Sequence, residues 1–327
     1  MGLSLTLGCG AYDRTIPLAD GTVVPDGIDL RMTTLTPGDL FRRQARDAEF
    51  DVAEFSLSTY AMLHGRGDTR FVGIPVFPSR MFRHRSIFVN TKAGIARPED
   101  LRGRRVGAAE FQQTAGVWIR GILEREHGVP QADVDWVFGA YNAPGPYHER
   151  SPVALPANLR TTVIPETTCL NDLLDAGEID AVIAAQAPAA LKRPGSNVAR
   201  LFPDFVSAEQ AYFGRTGIFP IMHTVVIRRS IYEAEPWVAR AMVDAFVEAK
   251  RVGAARLAAD GTPYAGLPWL TAHLEELARV MGPDPYPYGF LANHATVTAF
   301  LEMHHAQGLA PRLLTAEELF VPETHAS

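Results

Sequence analysis

Short apolar runs recur along the chain, and most are followed by a stretch with the spacing of an amphipathic helix. Apolar runs bounded by turn residues are typical of buried strands, whereas apolar residues three and four apart are typical of helices. Because the two patterns alternate, the sequence predicts an α/β fold with largely parallel sheets. The predicted strands cover residues 3–7, 27–35, 50–56, 71–77, 85–90, 134–138, 160–165, 179–185 and 217–229.

Local signals predict where several helices begin. Thr36 and Pro37 supply a capping residue and a first-turn proline, and Thr114 is predicted to cap a later helix. The chain from Pro236 onward is predicted to be mostly helical. Between the helical stretches, the Pro- and Gly-rich segment 139–159 is predicted to be a long surface loop. The helices predicted before Pro236 cover residues 36–47, 114–127 and 169–176, with a short helix, a glycine turn and a strand within 98–110.

Length and charge limit the classes of protein to consider. A chain of 327 residues predicts about two domains. The formal net charge of −6 argues against a nucleic-acid-binding protein, which is normally basic. We find no signal-peptide pattern at the start and no apolar run long enough to span a membrane, so we expect a cytoplasmic protein without a membrane partner. The two cysteines, Cys9 and Cys169, lie far apart and suggest neither a disulfide framework nor a metal site.

Positive charge is concentrated in one segment, VFPSRMFRHRSIFVN, at residues 76–90. Arg80, Arg83 and Arg85 lie there beside His84, immediately before a predicted strand. A solvated turn is one interpretation of such a cluster. The other is an anion site, because the planar guanidinium group binds carboxylates with two parallel hydrogen bonds.

Common cofactor motifs are absent from the sequence. There is no phosphate-binding loop, no zinc-protease or nucleophile-elbow motif, and GCGAYD lacks the third glycine of a dinucleotide site. His304 and His305 are adjacent and therefore point to different helix faces, so we interpret them as a solvated helix end. The sequence thus predicts neither a metal nor a cofactor.

Several segments together resemble the 4,5-dihydroxyphthalate decarboxylases. They are CGAYDRT, FDVAEFSLSTY, IPVFPSRMFRHRSIFVN, NVARLFPD and TGIFPIMHTVVIRR, in this order along nearly the whole chain. VGAAEFQQTAGVWIRGIL and GEIDAVIAA resemble the second lobe of a type II periplasmic-binding-protein fold. This resemblance implies two α/β lobes joined by two crossing hinge strands, with a ligand cleft between them. Lobe one would be residues 1–85 plus 225–327, and lobe two would be residues 86–224.

The resemblance implies decarboxylation of a hydroxylated aromatic dicarboxylate, most simply 4,5-dihydroxyphthalate to protocatechuate. Without a cofactor the substrate must accept the electron pair itself, through a phenol para to the departing carboxylate. This chemistry needs one base at the phenol and one acid at the ring carbon, and histidine serves either role near neutral pH. His84 and His223 are the candidates, His84 for the ring carbon and His223 for the phenol. A structural hydrogen bond at the hinge is the alternative role for each.

The retained carboxylate is expected to be bound by arginine, and the departing one to face the apolar residues Phe77, Phe82 or Phe219. Clamping the departing group equally in the ground and transition states would not raise the rate. Glu54 and Glu110 are either additional bases or residues that orient an arginine. The candidate substrate-binding residues are Arg80, Arg83, Arg85, Arg14, Ser56, Ser58, Thr59, Glu110, Gln112, Gln113 and Thr114.

A second class of function stays open, because the same fold serves for binding without chemistry. The alternative is a solute-binding protein or sensor for a small aromatic or carboxylate anion. The absence of an export signal argues against it. The expected partner is a small aromatic dicarboxylate substrate, and a homo-oligomer is compatible with the sequence.

Overall fold

The computed structural model describes residues 2–149, 151, 153–259 and 264–327. The strands alternate with helices through most of this length, as the sequence predicts. The strands are β1 Leu3–Cys9, β2 Ile28–Thr34, β3 Val52–Ser56, β4 Phe71–Ile74, β5 Ile87–Asn90, β6 Arg105–Ala108, β7 Asp135–Phe138, β8 Arg160–Val163, β9 Ala181–Ile183, β10 Val198–Arg200 and β11 His223–Arg228.

The helices include three whose bounds agree with the prediction within one residue. They are α1 Ile16–Ala19, α2 Pro37–Asp47, α3 Leu57–Gly65, α4 Thr114–His127, α5 Leu170–Ala176, α6 Phe205–Thr216, α7 Arg229–Ala234, α8 Trp237–Leu257, α9 Leu270–Met281, α10 His294–Ala306 and α11 Ala316–Leu319. Short 3-10 turns connect several of them, including His84–Ser86 and Pro98–Leu101.

Helix α2 shows how local sequence fixes an element. Thr36 caps it by accepting a hydrogen bond from the Asp39 backbone N–H, and Pro37 fills the first turn. Leu40, Phe41 and Gln44 form its buried face. In α4 the prediction was wrong by one residue, because Gln113 is the capping residue and Thr114 is already helical.

The contacts divide the chain into two compact units. The first comprises Met1–Arg80, Ile221–Thr298 and Leu314–Ser327, and the second comprises Met81–Pro220 and Ala299–Leu313. The predicted boundaries between the lobes were at residues 85/86 and 224/225, a few residues from the observed boundaries at 80/81 and 220/221. The predicted division also assigned all of 225–327 to lobe one, whereas Ala299–Leu313 belongs to the second unit.

Side-chain packing explains why Ala299–Leu313 belongs to the second unit. The Phe300 ring lies 5.5 Å from the Trp118 ring on α4, and Gln307 accepts a hydrogen bond from Arg120. Gly121 gives Met303 room, since a Cβ at Gly121 would come within 2.3 Å of the Met303 sulfur. A helical pattern shows that α10 has a buried face but does not identify the element it packs against. The segment was therefore assigned to lobe one together with the residues next to it in the chain.

The first unit contains a sheet with strand order β2-β1-β3-β11-β4. Strand β1 pairs in parallel with β2 and β3, whereas β11 pairs antiparallel with β3 and β4. Every residue of β3 and β4 is buried, which explains the continuous apolar sequence of β4; β3 buries Glu54 as well as apolar residues.

The second unit contains a sheet with strand order β10-β5-β9-β6-β7-β8. Strands β6, β7, β8 and β9 are parallel, and β5 pairs antiparallel with β9 and β10. Both sheets are therefore mixed, and the expectation of largely parallel sheets was wrong for the pairs that involve β5 and β11. These are the strands predicted to cross between lobes; each lies in one sheet, and the strand predicted from Gly217 begins only at His223, after Pro220.

Candidate active site

A buried carboxylate organises one end of the sheet in the first unit. Glu54 lies on β3 and is fully buried, and its two oxygens accept hydrogen bonds from two different segments, residues 9–12 and His223. Oε2 lies 2.8 Å from the Gly10 backbone N, while Oε1 lies 2.7 Å from the Tyr12 hydroxyl and 2.5 Å from His223 Nδ1. The Cys9 thiol lies 3.5 Å from Oε2. A buried carboxylate is tolerated only when it is bonded in this way.

Strand register brings the histidine to the carboxylate. In the antiparallel pair of β3 and β11, Glu54 is opposite Val225 and Ser56 is opposite His223. Residues two apart on a strand share a face, so Glu54 and His223 are diagonal neighbours on one face of the sheet. Their separation of 169 positions along the chain hides this relationship in the sequence.

The carboxylate fixes which nitrogen of His223 carries the proton. An ionised carboxylate only accepts hydrogen bonds, so Nδ1 donates to Glu54 and Nε2 keeps its lone pair. Nε2 has no hydrogen-bond partner within the described residues, and the side chain is 15% exposed. The Phe41 ring packs edge-on against the imidazole at 4.7 Å and holds its plane. This arrangement equips His223 to accept a proton at Nε2.

The charge state of Glu54 follows from its neighbours. Burial alone would raise the pKa of this carboxyl, but the positive charge that His223 can carry and the hydrogen bonds from His223, Tyr12 and Gly10 outweigh burial and lower the pKa. The same contacts act in reverse on the donors. Burial and then Glu54 raise the pKa of Tyr12 and that of Cys9, so both stay protonated and continue to donate.

Gly10 has a steric role in this cluster. A Cβ at this position would lie 2.7 Å from the Tyr12 ring. The Thr15 hydroxyl accepts from the Tyr12 backbone N–H and donates to the Gly10 carbonyl, which closes the turn. Gly10, the second glycine of GCGAYD, thus leaves room for the Tyr12 ring to pack against the backbone.

Arg14 is held close to this cluster by groups of the first unit. Its guanidinium lies between the Tyr12 and Tyr286 rings, 4.5 and 4.4 Å from their centroids. Nε donates to the Pro78 carbonyl at 2.7 Å and Nη1 donates to Asp13 at 2.7 Å. Its predicted role in substrate binding stays a prediction, with most of its donors already engaged.

The other predicted residues of the first unit are nearly or fully buried. Arg80 donates to the Pro287 carbonyl and to Asn293, and burial lowers its pKa to about 10, so it stays charged near neutral pH. Ser56 caps α3 by accepting from the Thr59 backbone N–H. Ser58 and Thr59 follow in the first turn of that helix.

His84 lies in the second unit and has no carboxylate partner in hydrogen-bond range within the described chain. Its ring packs against Phe202 and Tyr212, with centroids 5.3 and 5.2 Å away. The side chain is buried, and Nδ1 has no hydrogen-bond partner among the described residues. Burial, followed by the nearby His127 and Arg215, lowers the pKa of His84 to about 4. His84 is therefore neutral near pH 7 in this structure.

The two neighbouring arginines are held in the second unit in different ways, Arg83 by its side chain and Arg85 by its backbone. Arg83 is buried and donates to the Ala185 carbonyl at 3.2 Å, and burial lowers its pKa to about 9. Arg85 is half-buried, and its backbone N–H donates to Glu209 on α6. The solvated-turn interpretation fails for Arg83, which is too buried for it.

The segment before α4 contains the remaining predicted residues. Glu110 and Gln113 are half-buried, while Gln112 and Thr114 are buried. The Gln112 side chain donates to the Ser151 carbonyl at 3.0 Å. The carboxylate of Glu149 accepts from the backbone N–H groups of Phe111 and Gln112.

The apolar residues expected to face the departing carboxylate are distributed over both units. Phe77 is fully buried in the first unit. Phe82 and Phe219 stack at 4.6 Å in the second. Their role against a carboxylate stays a prediction.

Sequence reasoning missed Glu149 and helix α6, which carries Glu209 and Tyr212. The signals for α6 were present, since Asp204 caps its start and Gly217 ends it in the left-handed conformation. Nothing in the sequence around Glu149 marks it. The interpretation of His304 as a solvated residue was also wrong, because α10 buries it in the second unit.

Neither a metal-ligand cluster nor a membrane-spanning helix is found among the described residues. No group of three or more His, Cys, Asp or Glu side chains in those ranges is arranged to hold a metal ion. None of the helices described has the length and apolar character needed to cross a membrane.

Solved structures show the fold of the chain. A periplasmic sulfonate-binding protein from Methylobacillus flagellatus matches with a TM-score of 0.57 at 10% identity, covering 98% of this chain and 92% of that one. The aliphatic sulphonate-binding protein from Escherichia coli matches with a TM-score of 0.55 at 12% identity over the same shares. The predicted periplasmic-binding-protein-like fold is confirmed.

Curated sequences show the family, although no family model matches the sequence. A 4,5-dihydroxyphthalate decarboxylase from Pseudomonas putida is 40% identical over 202 residues, which is 62% of this chain and 78% of that protein. Another from Comamonas testosteroni is 40% identical over 320 residues, covering 98% of this chain and 97% of that protein. With this identity along nearly its full length, the chain belongs to the 4,5-dihydroxyphthalate decarboxylase family.

Proposed function

We propose that this protein removes one carboxylate of 4,5-dihydroxyphthalate as carbon dioxide and releases 3,4-dihydroxybenzoate (protocatechuate). The observation that carries the proposal is the His223–Glu54 pair, in which a buried carboxylate fixes the imidazole and leaves Nε2 available. Kinship with decarboxylases of this substrate supports the choice of reaction. We further propose that the enzyme is cytoplasmic, which cell fractionation tests.

The first proposed step is removal of a phenolic proton by His223. Nε2 accepts the proton of the hydroxyl para to the departing carboxylate, and the imidazolium then lies beside the ionised Glu54. Glu54 touches no substrate in this scheme, because it is fully buried. It is a positioning residue that orients the imidazole of His223 and fixes its tautomer, in the manner of the carboxylate in a catalytic triad.

The phenolate then directs its electron pair to the ring carbon that bears the carboxylate. That carbon takes a proton and becomes tetrahedral, and the para oxygen becomes ketone-like. The bond to the carboxylate breaks next, carbon dioxide leaves, and the electron pair returns to the ring and restores its aromaticity. The oxygen recovers a proton, so one proton is consumed for each carbon dioxide released.

The ring carbon needs its own proton donor, because it lies across the ring from the phenol. His84 stays the proposed donor. Its low pKa means that it carries no transferable extra proton in the resting protein, so it must become charged when the dianionic substrate binds nearby.

The test is incubation of the purified protein with 4,5-dihydroxyphthalate, with carbon dioxide and 3,4-dihydroxybenzoate measured together. We expect equal amounts of the two products. Phthalate, which lacks the hydroxyls, is the matched control and should give neither. Tight binding of 4,5-dihydroxyphthalate without any product would contradict the proposal and favour a solute-binding role.

A further inference from the structure

The carboxylate of Glu149 fills a site formed by the backbone of the second unit. The N–H groups of Phe111 and Gln112 both donate to it, with Gln112 N at 3.3 Å from Oε2, and the Tyr147 hydroxyl also donates. The two backbone donors lie in the connection between β6 and α4, immediately before the capping residue Gln113. Adjacent N–H groups that converge on one anion form a typical carboxylate site.

A buried arginine lies behind these two donors. Arg120 is 1% exposed, and its side chain returns along α4, where Nη2 donates to the Phe111 carbonyl at 2.7 Å. Nε donates to Gln307 at 2.8 Å. Nη1 has no hydrogen-bond partner among the described residues, although it is buried within the first turns of α4, 3.1 Å from where a Gly116 Cβ would lie.

The charge of Arg120 lacks a direct counter-ion. Within the described chain no carboxylate lies within 4.0 Å of its guanidinium, and Glu149 is the charged group that offsets part of the effect of burial on its pKa. The Phe111 and Trp136 rings, 4.2 and 5.7 Å from the guanidinium carbon, compensate part of the cost of burying this cation, and a nearby anion would compensate more. The protein therefore maintains a positive site here whose present anion is a side chain from a surface loop.

Glu149 belongs to the segment 139–159, which contains no helix or strand in its described part. Asn142, Ala143, Pro144, Pro146 and His148 are exposed in it. Residues 142–149 make no backbone–backbone hydrogen bond to other described residues, so the carboxylate can leave at modest cost.

We propose that the Phe111 and Gln112 N–H groups, with Arg120 behind them, form a binding subsite for a carboxylate of the substrate, and that Glu149 occupies this subsite until an aromatic carboxylate displaces it. The proposal rests on the proposed function for the identity of that ligand. Glu149 then acts as an internal competitor, since the apparent dissociation constant equals the intrinsic one divided by the fraction of protein in which the site is open.

The experiment measures phthalate binding by calorimetry, because phthalate carries both carboxylates and lacks the hydroxyls needed for reaction. Glu149→Asp keeps the charge but shortens the side chain, so its carboxylate no longer reaches both N–H groups. We expect Glu149→Asp and Glu149→Ala each to bind phthalate about tenfold more tightly than the unaltered protein, as for a site that Glu149 fills about nine-tenths of the time. Exposed Glu166 in the same unit provides the control, since Glu166→Ala removes one charge without a contact and should leave binding unchanged.

Different outcomes separate the subsite from a general effect of charge. Tighter binding in Glu149→Ala with unaltered binding in Glu149→Asp would mean that only the charge matters, and it would overturn the displacement. Binding that is weaker or unaltered in both variants, loss of folding in both, or no phthalate binding to any protein would also overturn it. None of these results depends on turnover, so failure of the decarboxylation assay would leave the binding comparison intact.

Discussion

His223 begins β11 with a buried carboxylate behind its ring, whereas His84 begins a 3-10 turn among aromatic rings. Glu54 accepts a hydrogen bond from Nδ1 and thereby fixes the tautomer of His223. Around His84, Phe202 and Tyr212 offer no carboxylate, and the pKa falls to about 4. The same side chain is thus prepared to take a proton in one unit and to stay neutral in the other.

This difference in environment is the basis for the different roles proposed for the two histidines. A proton acceptor needs an accessible lone pair, and Nε2 of His223 supplies one. A proton donor that is neutral at rest gains its proton only when an anion arrives. Such a donor is charged only with substrate bound.

The largest expected effect is the loss of turnover when His223 is replaced. His223→Asn should lower kcat about a thousandfold at pH 7, because the base at the phenol is lost. Activity should recover partly at high pH, where the catechol ionises without help. Steady-state kinetics from pH 6 to 10 measures both effects.

Glu54→Gln is the control for the His223 variant. It preserves the shape of the buried side chain but removes the charge, so it should lower kcat roughly tenfold to hundredfold while His223 remains. Full activity in His223→Asn would remove this residue from the mechanism. Equal losses in both single variants and in the double variant would indicate that the pair acts as one unit.

The next effect concerns His84 and hydrogen exchange. A donor to the ring carbon must also remove that proton in the reverse direction, so the enzyme should exchange one ring hydrogen of 3,4-dihydroxybenzoate for deuterium in heavy water. His84→Asn should lower both turnover and this exchange about a hundredfold while product binding persists. NMR of the product ring measures the exchange. Normal exchange in His84→Asn would exclude this role for His84.

The smallest expected effect is on stability against pH. The pKa of His84 is about 4 in the folded protein and about 6.5 when unfolded, so the unfolded chain binds more protons between these values. The His84 contribution therefore lowers the free energy of unfolding by roughly 1 kcal/mol as the pH falls from 6 to 5. Denaturant unfolding at several pH values should show this slope, and His84→Asn should remove it.

His223→Asn is the matched control in the unfolding experiment, since it leaves the surroundings of His84 intact. It should retain the His84 share of the slope. An unchanged slope in His84→Asn would mean that the aromatic surroundings do not hold His84 neutral, and the contrast between the two histidines would disappear.

The sequence by itself determined the α/β class, most element positions and the residues that carry charge. Local chemistry is sufficient for these features: Thr36 and Pro37 start α2, and the continuous apolar sequence of β4 requires burial on both faces. The resemblance to the decarboxylases was also present in the linear sequence. It identified the family without showing the arrangement of the site.

Only the tertiary structure decided which of these residues act together. Glu54 meets His223 through the register of β3 and β11, and Glu149 reaches the β6–α4 connection from a segment whose described part contains no helix or strand. The antiparallel course of β5 and β11 and the placement of Ala299–Leu313 were likewise not apparent in the sequence. The physical reason is the same in each case. Helix and strand patterns record whether a side chain is buried, whereas partners distant in the chain are chosen by packing and hydrogen bonding in three dimensions.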